Sequence, residues 1–498
     1  MILLLLTCGE PVEPVGGLDG ARLLRRVSLD LRGVLPSPAE QALAEQDPDV
    51  LPALAAGWLE DERFQTRYVH LLQERWHTRI DEFLVLFEEY QELEGDRRKE
   101  HAFERSVGEE PLRLAAWVVA EDRPWDDVVL VDGTMANRML VGIWPLEWMD
   151  EEPEDLWARA AYTDGRPAAG VLTTNGLWWR YYSTVTNRNR GRVAALSRLL
   201  LCEDYLNRPV SFENAPALVD EEATEEALRA DPYCVGCHAS IDPMAAALFG
   251  FWPADEYNAV EVHTYHLDRE PRGEEELGVE MAYYGEPLTG LRDLAEAIVA
   301  DPRFERCAAE STAELLWSRP VLDSDFADIA TLHEVFVEGD RRIKPVLLAT
   351  LDTAPYRDEE PRLVAPQVWA SAVEELTGWR WSFEGRDRMD EDTYGYRVMA
   401  GGVDGRSLTR PQTVPNMSWN ATIRRASQAA AWTAVSGGLL VDESIEELAW
   451  LLWAERLDED EVATYSELVA AVEAEAGADQ ARASLISVML RDPRFVTR

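Results

Sequence analysis

Two thiols and an imidazole fall together at Cys234-Val235-Gly236-Cys237-His238. Thiols separated by two residues can each form a thioether to one vinyl group of the same porphyrin. The histidine beside the second thiol then lies under the iron as its proximal ligand. With 5 Cys and 7 His in 498 residues, chance gives this spacing with a probability of roughly 10⁻³. The chemistry implied is a covalently attached haem c held by Cys234, Cys237 and His238. Met281 is the first candidate for the distal ligand, 43 residues beyond His238 and so able to cross over the haem. Met244, His263 and His266 are the alternates. Two other readings compete. Cys234, Cys237, His263 and His266 make a two-Cys, two-His zinc set, although the 25 intervening residues and the tight His-x-x-His spacing fit a finger poorly. Alternatively, the cysteines are a structural pair.

The remaining cysteines point to export. Met1-Ile2-Leu3-Leu4-Leu5-Leu6-Thr7-Cys8 is similar to a bacterial lipobox, in which cleavage leaves a lipidated Cys8 and a Pro/Gly/Glu-rich tether through Gly20. The basic n-region is missing and the apolar run is short for a signal peptide. Cys202 and Cys307 are then left to form one disulfide in an oxidising compartment. The expected location is the periplasm, or the outer membrane as a lipoprotein.

The totals narrow the function classes. A chain of 498 residues is long for one core and leads us to expect several domains. It is 46% hydrophobic with 18 Trp, ample for packed cores. A formal net charge of −45 repels nucleic acid and anionic membrane and steers cationic partners. Lys99 and Lys344 are the only lysines, and neither follows a glycine, so no phosphate-binding P-loop is present. The sequence also has no G-x-G-x-x-G fingerprint and no G-x-S-x-G elbow.

The elements that must position the motif read as mainly helical. Ser37-Pro38-Ala39-Glu40 is a capping box with proline at the first helical position. Apolar residues recur at three- and four-residue intervals over 64–93, 112–121, 191–201, 291–300, 308–317, 366–376, 445–456 and 466–475. Alternation suggests short strands at 128–131 and 260–265. The phrases Asp61-Glu62-Arg63-Phe64, Asp301-Pro302-Arg303-Phe304 and Asp492-Pro493-Arg494-Phe495 repeat one helix–corner signal: an Asp cap followed by an anchoring Phe. Boundaries are suggested at the acid-rich 91–110 stretch, the Gly/Pro loop 164–170 and the charged 352–361 segment. Arg180, Arg188, Arg190 and Arg192, with Trp178 and Trp179, read either as neighbours of haem propionates or as solvated charge and core aromatics. Asp242 reads as a cap for the next turn.

Several of these segments, in order, resemble the large exported cytochrome-c-like proteins of planctomycetes and myxobacteria, built from domains of unknown function. The resemblance rests on Leu23–Gly33 with Pro36–Glu40, on Asp122-Arg123-Pro124-Trp125-Asp126, and on Arg190-Gly191 with Leu200-Leu201-Cys202. It continues through Cys234–His238 with Ile241-Asp242-Pro243, Phe304–Cys307, and Gly401–Asp404 with Pro415-Asn416. It implies an exported, haem-associated protein and supplies no reaction. The chain departs from larger members in lacking a separate N-terminal cytochrome domain.

The expectation is therefore a mainly α, multidomain protein with a small irregular or β portion around the motif. Residues 1–20 form a lipoprotein-like signal and tether, 21–160 an N-terminal helical domain, 161–351 the cytochrome-like domain and 352–498 a C-terminal helical domain. The expected function is single-electron transfer by one haem in the bacterial cell envelope, to an electron-transfer protein or cationic envelope partner. Nucleic acid is not expected as a partner, and membrane contact is expected only through the lipid anchor. The alternatives are a non-catalytic envelope scaffold with a structural or zinc-binding Cys pair, and a haem-dependent oxidase or peroxidase.

Overall fold

Apolar residues at helical spacing build helices along nearly the whole computed structural model. It describes residues 18, 20–80, 82–83, 90–149, 153, 156–208, 220–253, 258–383, 386–389 and 395–498. Helix makes up 63% of it and strand 5%, so the protein is mainly α. No helix among the described residues is long and apolar enough to cross a membrane. Cys8 lies outside them.

Local signals place the helix starts. Ser37 accepts the Glu40 N–H at 3.2 Å while Glu40 accepts the Ser37 N–H at 2.7 Å, closing the box that begins the helix Pro38–Gln46. The corner phrase forms the same object three times. Asp61, Asp301 and Asp492 each cap a helix by accepting the N–H of the arginine two residues on. That arginine folds its guanidinium back onto the same carboxylate, and the phenylalanine that follows is buried. The element begins the helices Glu62–Trp76, Pro302–Trp317 and Pro493–Val496.

Three sequence expectations need correction. The helical run expected over 64–93 stops at Trp76, because His77 turns left-handed (φ 50°). Gln73 then holds the exit by pairing with both the N–H and the carbonyl of Arg79. The strand expected at 128–131 is the short helix Asp127–Leu130, and that at 260–265 begins as the helix Ala259–His263. The main sheet lies elsewhere: β1 (Thr134–Ala136), β2 (Leu146–Trp148) and β3 (Ala158–Tyr162) form an antiparallel sheet in the order β1-β3-β2. Thr134 faces Ala160, and Leu146 faces Tyr162. Strands of three to five residues are too short for alternation to announce them.

One apolar core runs from Leu23 through Trp178, Met244 and Trp317 to Tyr356, joining residues on both sides of position 160. A second joins Leu29 and Leu35 to residues 364–496. The helix Gly20–Leu31 therefore serves both cores. From it Arg25 donates to the carbonyls of Leu452, Phe495 and Thr497, and Arg26 to those of Tyr356, Asp358 and Arg498. The acid-rich 91–110 stretch, where the sequence suggests a boundary, runs into a buried helix. Most of its second half lies in the helix Arg97–Ala120, which buries Glu104, Glu109 and Glu110.

Candidate functional site

The motif lies in one helix, Pro232–Ala246, started by Asp231, which accepts the Tyr233 N–H at 2.9 Å, with Pro232 at the first position. Residues three and four apart share a helix face. Cys234, Cys237 and His238 therefore project together, on the same side as Ile241 and Ala245, which enter the core. The three motif side chains sit at the rim of that core. Both cysteines are free thiols of intermediate burial, and Cys237 packs against the core cluster. Partial burial, Asp231 and Cys237 push the Cys234 thiol upward in pKa.

One turn beyond His238, Asp242 is buried and faces its ring, with His238 Nδ1 2.8 Å from Asp242 Oδ1. Asp242 also accepts two hydrogen bonds from Arg190, at 2.9 and 3.0 Å. A carboxylate so engaged is an acceptor, so Nδ1–H is the donor and Nε2 is the ring nitrogen left to ligate. The His238 side chain is 22% exposed, and Nε2 has no hydrogen-bond partner among the described residues. Burial alone would raise the Asp242 carboxyl. The hydrogen bonds from His238 and Arg190, together with the Arg190 charge, outweigh burial and hold it below its usual range. Arg190, at the start of the helix Arg190–Leu201, is shared with Glu225 of the helix Glu221–Ala230, which also pairs with Arg188 at 3.0 Å.

On the other flank, Arg208 Nη1 lies 3.8 Å from Cys237 Sγ and its guanidinium covers the Tyr205 ring. The Tyr205 hydroxyl meets that of Tyr284 at 2.8 Å. Tyr284 and Gly285, both at positive φ, form the two-residue turn between β4 (Ala282–Tyr283) and β5 (Glu286–Pro287), and β4 packs beside the motif helix. This hairpin is the β portion expected near the motif.

The sequence candidates separate accordingly. Met281 leads into β4, half-buried against the same core that Cys237 touches. Met244, seven residues after Cys237 on the same helix, is sealed in the core with no exposure, so it is engaged in packing there. His263 is buried, stacks on Tyr90 and bonds its hydroxyl at 2.8 Å; burial and the Arg166 charge lower it to a pKa of about 4. His266 bonds the Glu261 carbonyl. The two-Cys, two-His zinc set is thus not assembled. Among the described residues no three or more His, Cys, Asp or Glu side chains are grouped to hold a bare metal ion. Of the arginines, Arg190 reaches the site directly and Arg188 through Glu225. Arg192 is buried against the carbonyls of Trp178, Tyr181 and Phe251, and Arg180 bonds the His77 carbonyl. Trp178 and Trp179 are core residues. Asp242 is not a cap: it lies inside the helix and serves His238.

Cys202 and Cys307 stand at disulfide distance, with Cα atoms 5.2 Å apart, and Arg75 Nη2 lies 2.9 Å from Cys202 Sγ. A water-sized cavity beside Cys307 and a larger one of about 400 Å³ between Phe64, Ala120 and Lys344 both lie away from the motif helix. Glu225, Tyr205 and Arg208 were not signalled by sequence. Asp242 was visible as the i+4 neighbour of His238, but its partner Arg190 lies 52 residues away.

The donor types fit a covalent haem: two free thiols and an imidazole on one helix face, with the imidazole Nδ1 hydrogen-bonded to Asp242. The chain matches no protein-family model, no curated protein and no solved structure.

Proposed function

We propose that the chain carries one covalent haem c, attached through Cys234 and Cys237 with His238 as the proximal ligand, and moves single electrons in the bacterial cell envelope. The observation that carries this reading is the His238–Asp242 hydrogen bond of 2.8 Å on the helix face that also presents both thiols. A ligating histidine characteristically donates its other ring N–H to a carboxylate or carbonyl, which fixes its tautomer and orientation. Bound there, the haem supplies a reversible one-electron change at iron. The protein's own part is to supply the two thiols, orient the ring and set the surrounding charge. The lipobox-like start at Cys8 and the Cys202–Cys307 pair support an exported, oxidising setting. The charge of −45 favours a cationic redox partner.

The test is expression with a cytochrome c maturation system, followed by a pyridine haemochrome spectrum of the denatured, extracted protein. One covalently retained haem per chain supports the proposal, and Cys234→Ala with Cys237→Ala abolishes it. A wild-type chain that retains no haem sinks it, and stoichiometric zinc in its place would show that the thiols serve a metal instead.

A further inference from the structure

Asp242 has no role in attaching a porphyrin, yet three hydrogen bonds hold it beside the motif. It is 5% exposed and lies inside a helix, where a carboxylate has no backbone N–H to serve. Its Oδ1 takes the His238 Nδ1–H at 2.8 Å and the Arg190 Nε–H at 2.9 Å, and its Oδ2 takes Arg190 Nη2 at 3.0 Å. Arg190 is itself steadied by Glu225 at 3.1 Å, and Glu225 by Arg188 at 3.0 Å. The result is a chain of alternating charge, Arg188, Glu225, Arg190, Asp242, ending on the imidazole. A buried carboxylate is costly unless paired, and here the pairing places its free acceptor capacity on one ring nitrogen.

We infer that Asp242 is a positioning residue for the His238 ligand and that, with Arg190 as its counterweight, it sets the reduction potential of the bound haem. The inference rests on the haem assignment proposed above. A carboxylate accepting from Nδ1–H makes the imidazole a stronger donor at Nε2 than a neutral backbone acceptor does. Greater donation stabilises the ferric over the ferrous state and lowers the potential, one of the protein's levers on a haem. Arg190 opposes this by drawing charge from the same carboxylate through two hydrogen bonds. The couple is one iron-centred electron, accepted from an external reductant and passed on to an external oxidant, with no bond made or broken.

Opposite shifts distinguish this role from simple structural support. The haem-loaded full-length protein is titrated spectroelectrochemically with dithionite and ferricyanide as wild type, Asp242→Asn and Arg190→Gln. Asp242→Asn keeps an acceptor for Nδ1–H but removes the charge, and its potential moves positive. Arg190→Gln leaves the carboxylate without its counterweight, and its potential moves negative. Each shift is expected to change the ferrous-to-ferric ratio at fixed poise about tenfold, about 59 mV for a one-electron couple. Arg190→Lys, which retains the charge, restores the potential toward wild type. Unchanged potentials, or shifts of the same sign in both variants, overturn the inference while leaving haem attachment standing. A wild-type protein without covalent haem overturns both. Should Asp242→Asn lose its haem during maturation, the Arg190→Gln and Arg190→Lys pair decides by the same signs.

Discussion

The guanidinium of Arg303 folds back onto Asp301, two residues earlier, with Nη2 2.6 Å from Oδ2, while Asp301 also accepts the Arg303 backbone N–H at 2.8 Å. The same residue pair closes on itself at Asp61–Arg63 and Asp492–Arg494. It caps a helix, satisfies an orphan N–H and places a phenylalanine into the core with contacts spanning only four residues.

Removing the cap by Asp301→Ala is expected to destabilise the protein by about 1–2 kcal/mol, read as the urea midpoint of unfolding followed by circular dichroism. Most of that comes from the cap, because the Arg303 side chain is 36% exposed and its ion pair is correspondingly weak.

The same carboxyls set an acid limit. Arg63 holds Asp61 below its usual range. Asp301 and Asp492 are raised by burial and lowered further by Arg303 and Arg494, with a net decrease. A folded-state value below the unfolded one, about 3.9 for Asp, contributes stability that is present above it and lost as pH falls through the folded value. Asp301→Asn, which retains capping ability, is expected to lose less stability than wild type between pH 5 and pH 3, as measured by urea unfolding at each pH.

Glu110 behaves in the opposite sense. Burial pushes its carboxyl up to about 7 against the Tyr162 hydroxyl at 2.5 Å and the Gly176 N–H at 2.8 Å. The folded state therefore holds a proton that the unfolded state releases near pH 4.5, and this contribution fades as pH rises from there through 7. Glu110→Gln is expected to flatten that decline in thermal unfolding scans. Glu110→Ala leaves the Gly176 N–H unpaired beside a cavity and costs about 2–4 kcal/mol.

Reduction of the Cys202–Cys307 pair opens a loop with a sequence separation of 105. Loss of the crosslink is expected to cost about 4–5 kcal/mol on the chain-entropy account. The Cys202→Ser variant should then melt at the temperature of the dithiothreitol-treated wild type, and that temperature should no longer respond to reductant.

Arg25→Ala strips hydrogen bonds from the carbonyls of Leu452, Phe495 and Thr497 at once, where burial already lowers the guanidinium to a pKa of about 10. About 3–5 kcal/mol of lost stability is expected. Limited proteolysis should show it first as cleavage within residues 364–498, because the second core depends on this helix.

How much was legible follows the range of the interactions. The capping box at Ser37, the corners at Asp61, Asp301 and Asp492, and the shared face of Cys234, Cys237 and His238 are set within four residues, so periodicity and residue type sufficed for them and for the mainly α class. The stop at His77 was not legible. It is held by Gln73 on Arg79 and by Arg180 on the His77 carbonyl, the latter across 103 residues. The acid-rich stretch at 91–110 suggested a boundary, yet packing of the helix Arg97–Ala120 buries its Glu104, Glu109 and Glu110. At the site the sequence determined that two thiols and an imidazole share one helix face. Only the tertiary structure decided what stands behind the imidazole, because bringing Arg190 to Asp242 requires two helices to pack, and local pattern carries no signal for a contact made across 52 residues.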